Sequence, residues 1–199
     1  MNGATKWIAR WRVRLGYPLA IVVLYYAWPN PKTIAIGGAI GVIGLWIRGY
    51  AAGYLKKQEV LTTTGPYAFT RNPLYLGSAI LAAGAVWAMH SWISGCVLGV
   101  YFAIVYYIVM RREEGELRGH FGDAFESYAR TVPLFFPRIT PAKIESSSAG
   151  AFSFAQYKKN HEYQATLGFV FLLGVLMVIW RCTHGSSLAG MLMKQLRGD

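Results

Sequence analysis

The sequence is poor in charged residues, in acidic residues and in cysteine. Charged residues make up 15% of its 199 residues, whereas a typical soluble domain contains roughly 25%. Asp and Glu together number 9, and the 2 cysteines, Cys96 and Cys182, lie far apart in apolar segments. The 4 His residues are scattered without ligand spacing. The composition therefore argues against a soluble domain, a disulfide framework and a metal site.

What the sequence has in excess is apolar surface and positive charge. Hydrophobic residues make up 54% of the chain, and the net charge is +11. Such a charge is typical of nucleic-acid-binding domains, but also of proteins that face anionic lipid headgroups. The long apolar runs favour the second explanation, so we expect membrane lipids, and no nucleic acid, as partners.

Five apolar segments predict an all-α, polytopic transmembrane bundle of about five spans, with a catalytic subdomain towards the C-terminus on the cytosolic side. A span needs about 20 mostly apolar residues; the first segment is short, and the last is either a span or an interfacial helix. The segments are Leu15–Trp28, Thr33–Tyr54, Leu74–His90, Trp92–Met110 and Ala165–Trp180. Only Ser91 and its neighbours separate the third segment from the fourth, which predicts a tight helical hairpin.

Two features of the second segment concern its surroundings. Gly37-x-x-x-Gly41 predicts close contact with another helix, either within this fold or, as the alternative, in a homodimer. Arg48 lies near the end of the segment, where we expect its side chain to extend to the headgroup layer.

The distribution of Lys and Arg predicts the orientation. With the N-terminus on the cytoplasmic side, sixteen of the 20 basic residues lie in cytoplasmic segments and four lie outside. Cytoplasmic loops carry an excess of Lys and Arg, so we favour this orientation. It places the polar segments 51–75 and 111–142, and with them the active site, on the cytoplasmic side.

This layout divides the chain into three parts. Residues 1–60 form N-terminal transmembrane helices, residues 61–140 form the core with the candidate chemistry, and residues 141–199 form a linker, an interfacial segment and a C-terminal transmembrane helix. The Ser-rich run at 145–150 is typical of a flexible linker. Aromatic residues between 152 and 157, followed by two lysines, indicate the interfacial segment.

The polar connector before the third segment contains Gly65-Pro66-Tyr67-Ala68-Phe69-Thr70-Arg71-Asn72-Pro73. Pro73 suits the first turn of a helix. Arg71 and Asn72 would then lie beside unpaired backbone N–H groups, which is a natural site for an anion. The alternative is that Arg71 only follows the charge rule and binds lipid phosphate.

A second polar cluster follows the fourth segment. Helical spacing places Glu114 at the head of an apolar and aromatic stripe that continues to Tyr128. A carboxylate in such a stripe at the end of a membrane helix is costly unless it is paired. We therefore expect a cationic partner, which is Arg71, a ligand or both. The alternative is a solvated pair with Arg118.

A rigid, non-helical strap, residues 132–137, comes next. Its sequence is Val132-Pro133-Leu134-Phe135-Phe136-Pro137, in which two prolines bracket a pair of aromatic residues. It either covers a pocket or lies in the headgroup layer as part of an aromatic belt.

In this order, these motifs resemble the isoprenylcysteine carboxyl methyltransferase and phospholipid methyltransferase superfamily. The resemblance covers roughly residues 61–138. At Asn72 the sequence departs from the His found in many members, and an amide cannot act as a proton shuttle there. The matching residues are Gly65-Pro66-Tyr67, Arg71-Asn72-Pro73-x-Tyr75-x-Gly77, Glu113-Glu114-x-x-Leu117-x-x-x-Phe121-Gly122, Tyr128 and Val132-Pro133 through Pro137.

The resemblance implies S-adenosylmethionine as cofactor, bound on the cytoplasmic side, and an acceptor that arrives from within the membrane. The implied catalytic residues are Arg71, Asn72, Glu113 and Glu114. The implied cofactor-binding residues are Tyr67, Arg71, Asn72, Pro73, Tyr75, Leu76, Gly77, Glu113, Glu114, Tyr128, Val132, Pro133 and Pro137. Arg138, just past the strap, is the candidate for binding a substrate carboxylate.

The predicted function is methylation of a lipophilic acceptor. Carboxyl O-methylation of an isoprenylcysteine-like substrate is slightly favoured over N-methylation of a phospholipid amine. A carboxylate is already a nucleophile, whereas an amine must lose a proton, which a glutamate can accept. Two other classes stay open: a non-enzymatic lipid-binding module, and a membrane reductase that binds NADPH.

Overall fold

The computed structural model describes residue 16 and residues 18–56, 60–144 and 150–184. Several predictions lie outside this part: the basic residues from Lys6 to Arg14, most of the Ser-rich linker, and Lys194 and Arg197. Every regular element in the described part is helical, so the predicted all-α class is confirmed.

The helices follow the predicted apolar segments closely. Residues 18–25 form an N-terminal helical segment. The described chain then forms α1 (Pro31–Tyr54), a short 3-10 helix (Gly65–Ala68), α2 (Pro73–Met89), α3 (Trp92–Phe121), α4 (Asp123–Thr131), α5 (Phe154–Lys159) and α6 (Tyr163–His184). Of these, α1, α3 and α6 are long and apolar enough to cross a membrane, and α2 is a shorter apolar helix of 17 residues.

Local signals set the helix ends. Asn30 caps α1, because its Oδ1 accepts hydrogen bonds from the backbone N–H of Lys32 and of Thr33, each at 3.0 Å. His90 ends α2 with φ +50°, and the Ser91 hydroxyl accepts from the Ser94 N–H at 3.2 Å to begin α3. The predicted hairpin of α2 and α3 is therefore confirmed.

The fourth predicted segment and the polar helix predicted after it form one continuous element. α3 runs from Trp92 through the charged cluster to Phe121. Gly122, with φ +51°, separates α3 from α4, where a residue with a side chain would be strained. The apolar stripe continues across this break, since Phe125, Tyr128 and Val132 are all buried together.

Glycines bring α1 and α2 into close contact. A Cβ atom on Gly37 would lie 2.4 Å from the Gly84 carbonyl oxygen, and one on Gly44 would lie 2.6 Å from the Leu81 backbone nitrogen. On an adjoining part of α1, the Phe169 ring of α6 fills the space beside Gly41. The predicted close helix contact thus forms within one chain.

Residues 150–162 dock onto the end of α1. The sequence predicts them to be part of the linker and of the interfacial segment. The Ser153 N–H donates to the Gly53 carbonyl at 3.0 Å. The Asn160 side-chain amide donates to the Ala52 carbonyl at 2.8 Å and to the Leu55 carbonyl at 3.0 Å. These bonds satisfy the free carbonyl groups at the helix C-terminus, and they fix residues 150–162 against the bundle.

Candidate active site

A polar cavity of about 530 Å³ lies at one end of the bundle. The end of α1, the start of α2, the middle of α3 and the residues just before α6 surround it. The described lining consists of Arg48, Leu55, Tyr67, Arg71, Asn72, Pro73, Leu74, Tyr75, Tyr101, Val105, Tyr106, Val109, Glu113, Asn160 and Glu162. It therefore brings together Tyr67, Arg71, Asn72, Pro73, Tyr75 and Glu113 from the predicted set.

The connector before α2 holds the strap through hydrogen bonds. The Arg71 N–H donates to the Pro133 carbonyl at 3.0 Å, and the Asn72 amide donates to the Leu134 carbonyl at 2.9 Å. The Thr70 hydroxyl donates to the Phe135 carbonyl at 2.9 Å. Asn72 therefore uses its side chain to fix the strap, a role that requires a donor but no titratable group.

Glu114 is the buried centre of a charge cluster beside the cavity. It is only 3% exposed and forms ion pairs with Arg71 of the connector and with Arg111 one helical turn before it. The predicted pairing of Glu114 with Arg71 is confirmed. The alternative partner, Arg118, instead pairs with Glu126 of α4. The cluster places the Arg71 guanidinium at the cavity wall without an isolated buried charge.

Glu113 faces the cavity itself. Its carboxylate accepts a hydrogen bond from the Tyr75 hydroxyl at 2.7 Å. The Tyr75 ring in turn packs edge-on against Tyr106 of α3, with ring centroids 5.2 Å apart. Two neighbouring glutamates thus have different tasks: Glu114 holds arginines, while Glu113 offers a negative charge to the cavity.

Tyr67 contributes a buried hydroxyl group. The residue is 6% exposed, and its phenol oxygen has no hydrogen-bond partner among the described residues. Burial raises the pKa of the Tyr67 phenol well above its usual value, and the nearby Tyr128 and Glu113 raise it further. The phenol is therefore a neutral donor that a ligand in the cavity would satisfy.

Tyr128 supports Tyr67 from behind. Its hydroxyl donates to the Tyr67 carbonyl at 2.8 Å, and burial raises the pKa of the Tyr128 phenol. Tyr128 packs with Val132, which is 1% exposed. Both residues thus hold the cavity wall in place and do not line the cavity.

Other predicted site residues also lie outside the lining. Pro133 contacts Arg71 through its backbone, Pro137 is exposed, and Gly77 packs beneath the stem of Arg48. Arg138 donates from Nη1 to the Thr131 carbonyl at 2.8 Å at the end of α4. This arrangement gives no support to the predicted substrate contact of Arg138. The predicted residues outside the lining are Leu76, Gly77, Glu114, Tyr128, Val132, Pro133, Pro137 and Arg138.

Three charged or amide side chains of the cavity were not among the predicted site residues: Arg48, Asn160 and Glu162. Arg48, which was expected to extend to the headgroup layer, lines the cavity, where its Nε donates to Glu162 Oε1 at 2.5 Å. The sequence did contain a signal for Arg48, because a charged residue within an apolar membrane segment is by default a candidate functional residue. Asn160 and Glu162 had no such signal, since they follow a segment that resembles a linker.

An apolar groove of about 600 Å³ lies between α2 and α3, beside the polar cavity. Small residues of α2 and aromatic residues of α3 form its walls, and Leu134 and Phe135 of the strap close one end. Tyr106 lines both the cavity and the groove. A ligand with a polar head and a hydrocarbon chain matches this pair of spaces.

The chain belongs to the superfamily of integral membrane methyltransferases that includes the isoprenylcysteine carboxyl and phospholipid methyltransferases. Residues 33–124 match the family described as Phospholipid methyltransferase. The Protein-S-isoprenylcysteine O-methyltransferase of Schizosaccharomyces pombe is 31% identical over 84 residues, which are 42% of this chain and 36% of that protein.

Two longer matches are bacterial proteins named for metal resistance. The Nickel-cobalt-cadmium resistance protein NccN of Alcaligenes xylosoxydans xylosoxydans is 32% identical over 149 residues, covering 70% of this chain and 68% of the relative. The Cobalt-zinc-cadmium resistance protein CzcN of Cupriavidus metallidurans is 33% identical over 151 residues, with the same coverage of 70% and 68%. Within the described residues, no group of three or more His, Cys, Asp or Glu side chains is placed to hold a metal ion. No solved structure matches the chain.

Proposed function

We propose that this protein transfers a methyl group from S-adenosylmethionine to a lipophilic acceptor bound across the polar cavity and the apolar groove. The observation that carries the proposal is that the two spaces share a wall residue, Tyr106, beside residues of the superfamily motifs. Such an arrangement would bring a polar donor and an apolar acceptor together with little water between them.

The cavity has the chemical groups that this donor requires. S-adenosylmethionine supplies a methyl group on a positively charged sulfur, and it also carries a carboxylate and an ammonium group. Arg71 and the N-terminus of α2 at Pro73 suit the carboxylate. Glu113 suits a cationic group, and the unpaired Tyr67 phenol would donate a hydrogen bond. In this proposal these residues bind and orient the donor. A carboxylate acceptor needs no general base, because it is already a nucleophile.

The balance of charge favours an acidic acceptor. Four charged residues line the cavity, Arg48 and Arg71 against Glu113 and Glu162, so the formal charges cancel. The donor adds one net positive charge, which is costly in a partly buried site unless a negative charge accompanies it. A carboxylate attached to a hydrocarbon chain would supply that charge, which supports carboxyl O-methylation of an isoprenylcysteine-like acceptor.

N-methylation of a phospholipid amine is the second candidate. The family description of the match to residues 33–124 favours it. In that case Glu113 would accept the proton that the amine loses, so the same residue would act as a base as well as a binding group.

We also propose that the cavity faces the cytoplasm. The described Lys and Arg residues concentrate at the cavity end of the bundle, with Lys32 and Arg181 at the opposite end. This distribution follows the positive-inside rule. Cysteine accessibility to a membrane-impermeant reagent in intact cells would test it, with single cysteines placed at Lys32 and at Lys143.

Two measurements test the function. The first is calorimetric titration of the folded, detergent-purified protein with S-adenosylmethionine; absence of binding would overturn the proposal, and binding of NADPH instead would indicate a reductase. The second uses labelled donor with a farnesylcysteine carboxylate, its methyl ester and phosphatidylethanolamine. Methylation of the carboxylate alone is the expected result, and methylation of phosphatidylethanolamine alone would establish the second candidate.

A further inference from the structure

A second buried ion pair lies in the cavity, apart from the Arg71–Glu114 cluster. Arg48 projects from α1 and Glu162 lies just before α6, with Nε and Oε1 2.5 Å apart. Glu162 is 7% exposed. Burying two charged groups is expensive, and an apolar pair of similar volume would pack at least as well. Stability alone therefore gives a poor account of this pair.

The surrounding residues orient the Arg48 guanidinium. Its Nη1 donates to the Ser78 hydroxyl and, at 3.5 Å, to the Leu74 carbonyl. Gly77 provides the room for its stem, because a Cβ atom at Gly77 would lie 2.7 Å from Arg48 Cγ. A glycine of the Tyr75-x-Gly77 motif thus makes space for an arginine of another helix.

The guanidinium retains donor capacity. An arginine side chain has five N–H donors, and the bonds above use Nε and Nη1. In the part of the chain that the structure describes, Nη2 has no hydrogen-bond partner. Arg48 lines the cavity with 22% of its side chain exposed, against 8% for Glu162. A ligand in the cavity would therefore reach the positive partner more readily than the negative one.

The level of the Arg48–Glu162 pair along α2 places it near the apolar groove, where the hydrocarbon chain of the proposed acceptor would lie. Ser78 lies five residues beyond Pro73, which is roughly 8 Å further along the helix axis at 1.5 Å per residue. Arg71, by contrast, precedes the helix. Arg48 is thus closer to the level of Ala79, where the lining of the apolar groove begins.

We propose that Arg48 binds the acidic headgroup of the lipophilic acceptor, and that Glu162 is a positioning residue that holds Nε of Arg48 and moderates its charge. This inference rests on the proposed function for the identity of the ligand as an acceptor. Glu162 lies beyond residues 33–124, the part matched by the family, whereas Arg48 lies within it, so the proposed acceptor site would combine residues from both parts of the chain.

The test measures binding of three probes with the same hydrocarbon chain: dodecanoate, dodecanol and dodecylamine. Calorimetry on the full chain in phosphatidylcholine nanodiscs compares each variant with the wild type for each probe, so that partitioning into lipid cancels. For Arg48→Gln, dodecanoate affinity is expected to fall about 10–100-fold, as for loss of a charge-assisted bond, while dodecanol affinity is unchanged.

The partner substitution is expected to have the opposite effect. Glu162→Gln keeps an acceptor for Arg48 Nε but removes the competing negative charge, so dodecanoate affinity should rise about threefold to tenfold. A merely structural pair would weaken binding of all three probes in both variants. The control is Glu116→Gln, which breaks the exposed Arg112–Glu116 pair of α3 and changes the net charge equally.

Two results would overturn this inference. The first is unchanged dodecanoate affinity in folded Arg48→Gln. The second is that the wild type binds dodecylamine more tightly than dodecanoate and that Glu162→Gln no longer binds dodecylamine. Arg48→Lys, which keeps the charge, provides a second variant if Arg48→Gln does not fold. S-adenosylmethionine affinity is measured in parallel and should not fall in Arg48→Gln, because this variant removes a positive charge from the cavity that would hold the cationic donor. Failure of the wild type to bind that donor would refute the proposed function separately from this inference.

Discussion

The two sides of α2 have similar composition but different packing. Towards α1, a Cβ atom added to Gly84 would lie 2.6 Å from the Gly37 carbonyl oxygen. Towards α3, Ala79 and Ala83 line a groove of about 600 Å³, and a Cβ atom added to Gly99 of α3 would have no neighbour within 4 Å. Small residues are usually taken to mark tight helix contacts in membranes, yet here they do so on one side only.

The opposing helix decides the difference. On α1 the residues that face α2 are also glycines, so the two backbones approach. On α3 they are mixed: Gly95, Gly99 and Ala103 line the groove together with Phe102 and Tyr106, whose rings stack on each other with centroids 3.9 Å apart. Because the two rings stack along α3 and the residues beside them are small, a space stays open beside α2. One side of the helix thus fixes the fold, and the other is free to admit a ligand.

The largest effect is expected from disrupting the tightly packed side of α2, which faces α1. Gly84→Leu should prevent the protein from folding, because its Cβ atom meets backbone atoms of α1 that cannot rotate away, and even modest overpacking costs about 1–3 kcal/mol. The yield of monodisperse protein and the midpoint of thermal unfolding in detergent measure this. Gly99→Leu is the control and should unfold like the wild type; equal stability of both variants would contradict a tight α1–α2 contact.

Much of this fold follows from the sequence, because its cause is local. The Pro-Asn-Pro turn before α1 and Ser91 before α3 could be identified from residue type alone. The continuity of α3 from the apolar span through the charged cluster could not, because good helix formers are compatible with one helix or with two successive ones. The docking of residues 150–162 onto α1 was missed as well, since it depends on hydrogen bonds between distant parts of the chain.

The next largest effect is expected in the polar cavity, at the N-terminus of α2. Arg71→Ala should lower S-adenosylmethionine affinity about 10–100-fold, because a charge-assisted bond to the carboxylate is worth 1.5–3 kcal/mol. Calorimetry measures it, with Arg112→Ala as the control, since Arg112 pairs with the exposed Glu116. If donor affinity is unchanged and only the KM for the acceptor rises, Arg71 belongs to the acceptor site.

The candidate site shows the same division between local and distant causes. Arg71 and Glu114 were predicted as partners because each has a recognisable reason to be paired: one lies at a helix N-terminus, the other in an apolar stripe. The Arg48–Glu162 pair joins residues 114 positions apart, and neither local sequence indicates the other. Ordered motifs can therefore identify one wall of a cavity, whereas the opposite wall requires the tertiary structure.

A smaller effect is expected from filling the apolar groove between α2 and α3. Gly99→Leu should raise the KM for a farnesylcysteine acceptor about tenfold, corresponding to roughly 1.4 kcal/mol of lost chain contact, and leave donor affinity unchanged. The matched control is Gly168→Leu in α6, at an exposed glycine that also has no neighbour within 4 Å. Equal KM values for the two variants would mean that the acceptor chain does not use the groove.

The smallest effect at neutral pH is expected at the Tyr67 phenol. Tyr67→Phe removes a hydroxyl that has no hydrogen-bond partner among the described residues, so the free energy of unfolding should change by less than about 1 kcal/mol. Tyr128→Phe is the comparison and should cost more, because it removes the 2.8 Å bond to the Tyr67 carbonyl. Equal losses in the two variants would mean that the Tyr67 hydroxyl has a partner in the folded protein.

The difference between wild type and Tyr67→Phe should grow at alkaline pH. Burial raises the pKa of the Tyr67 phenol above its unfolded value, which is about 10. Below pH 10 both states hold the proton, so stability is independent of pH. Above it the unfolded chain releases the proton while the folded protein keeps it, so the wild type loses about 1.4 kcal/mol per pH unit for each such group. Since Tyr128 behaves in the same way, Tyr67→Phe should reduce this slope without abolishing it, and an unchanged slope would mean that the phenol ionises as freely in the folded protein as in the unfolded chain.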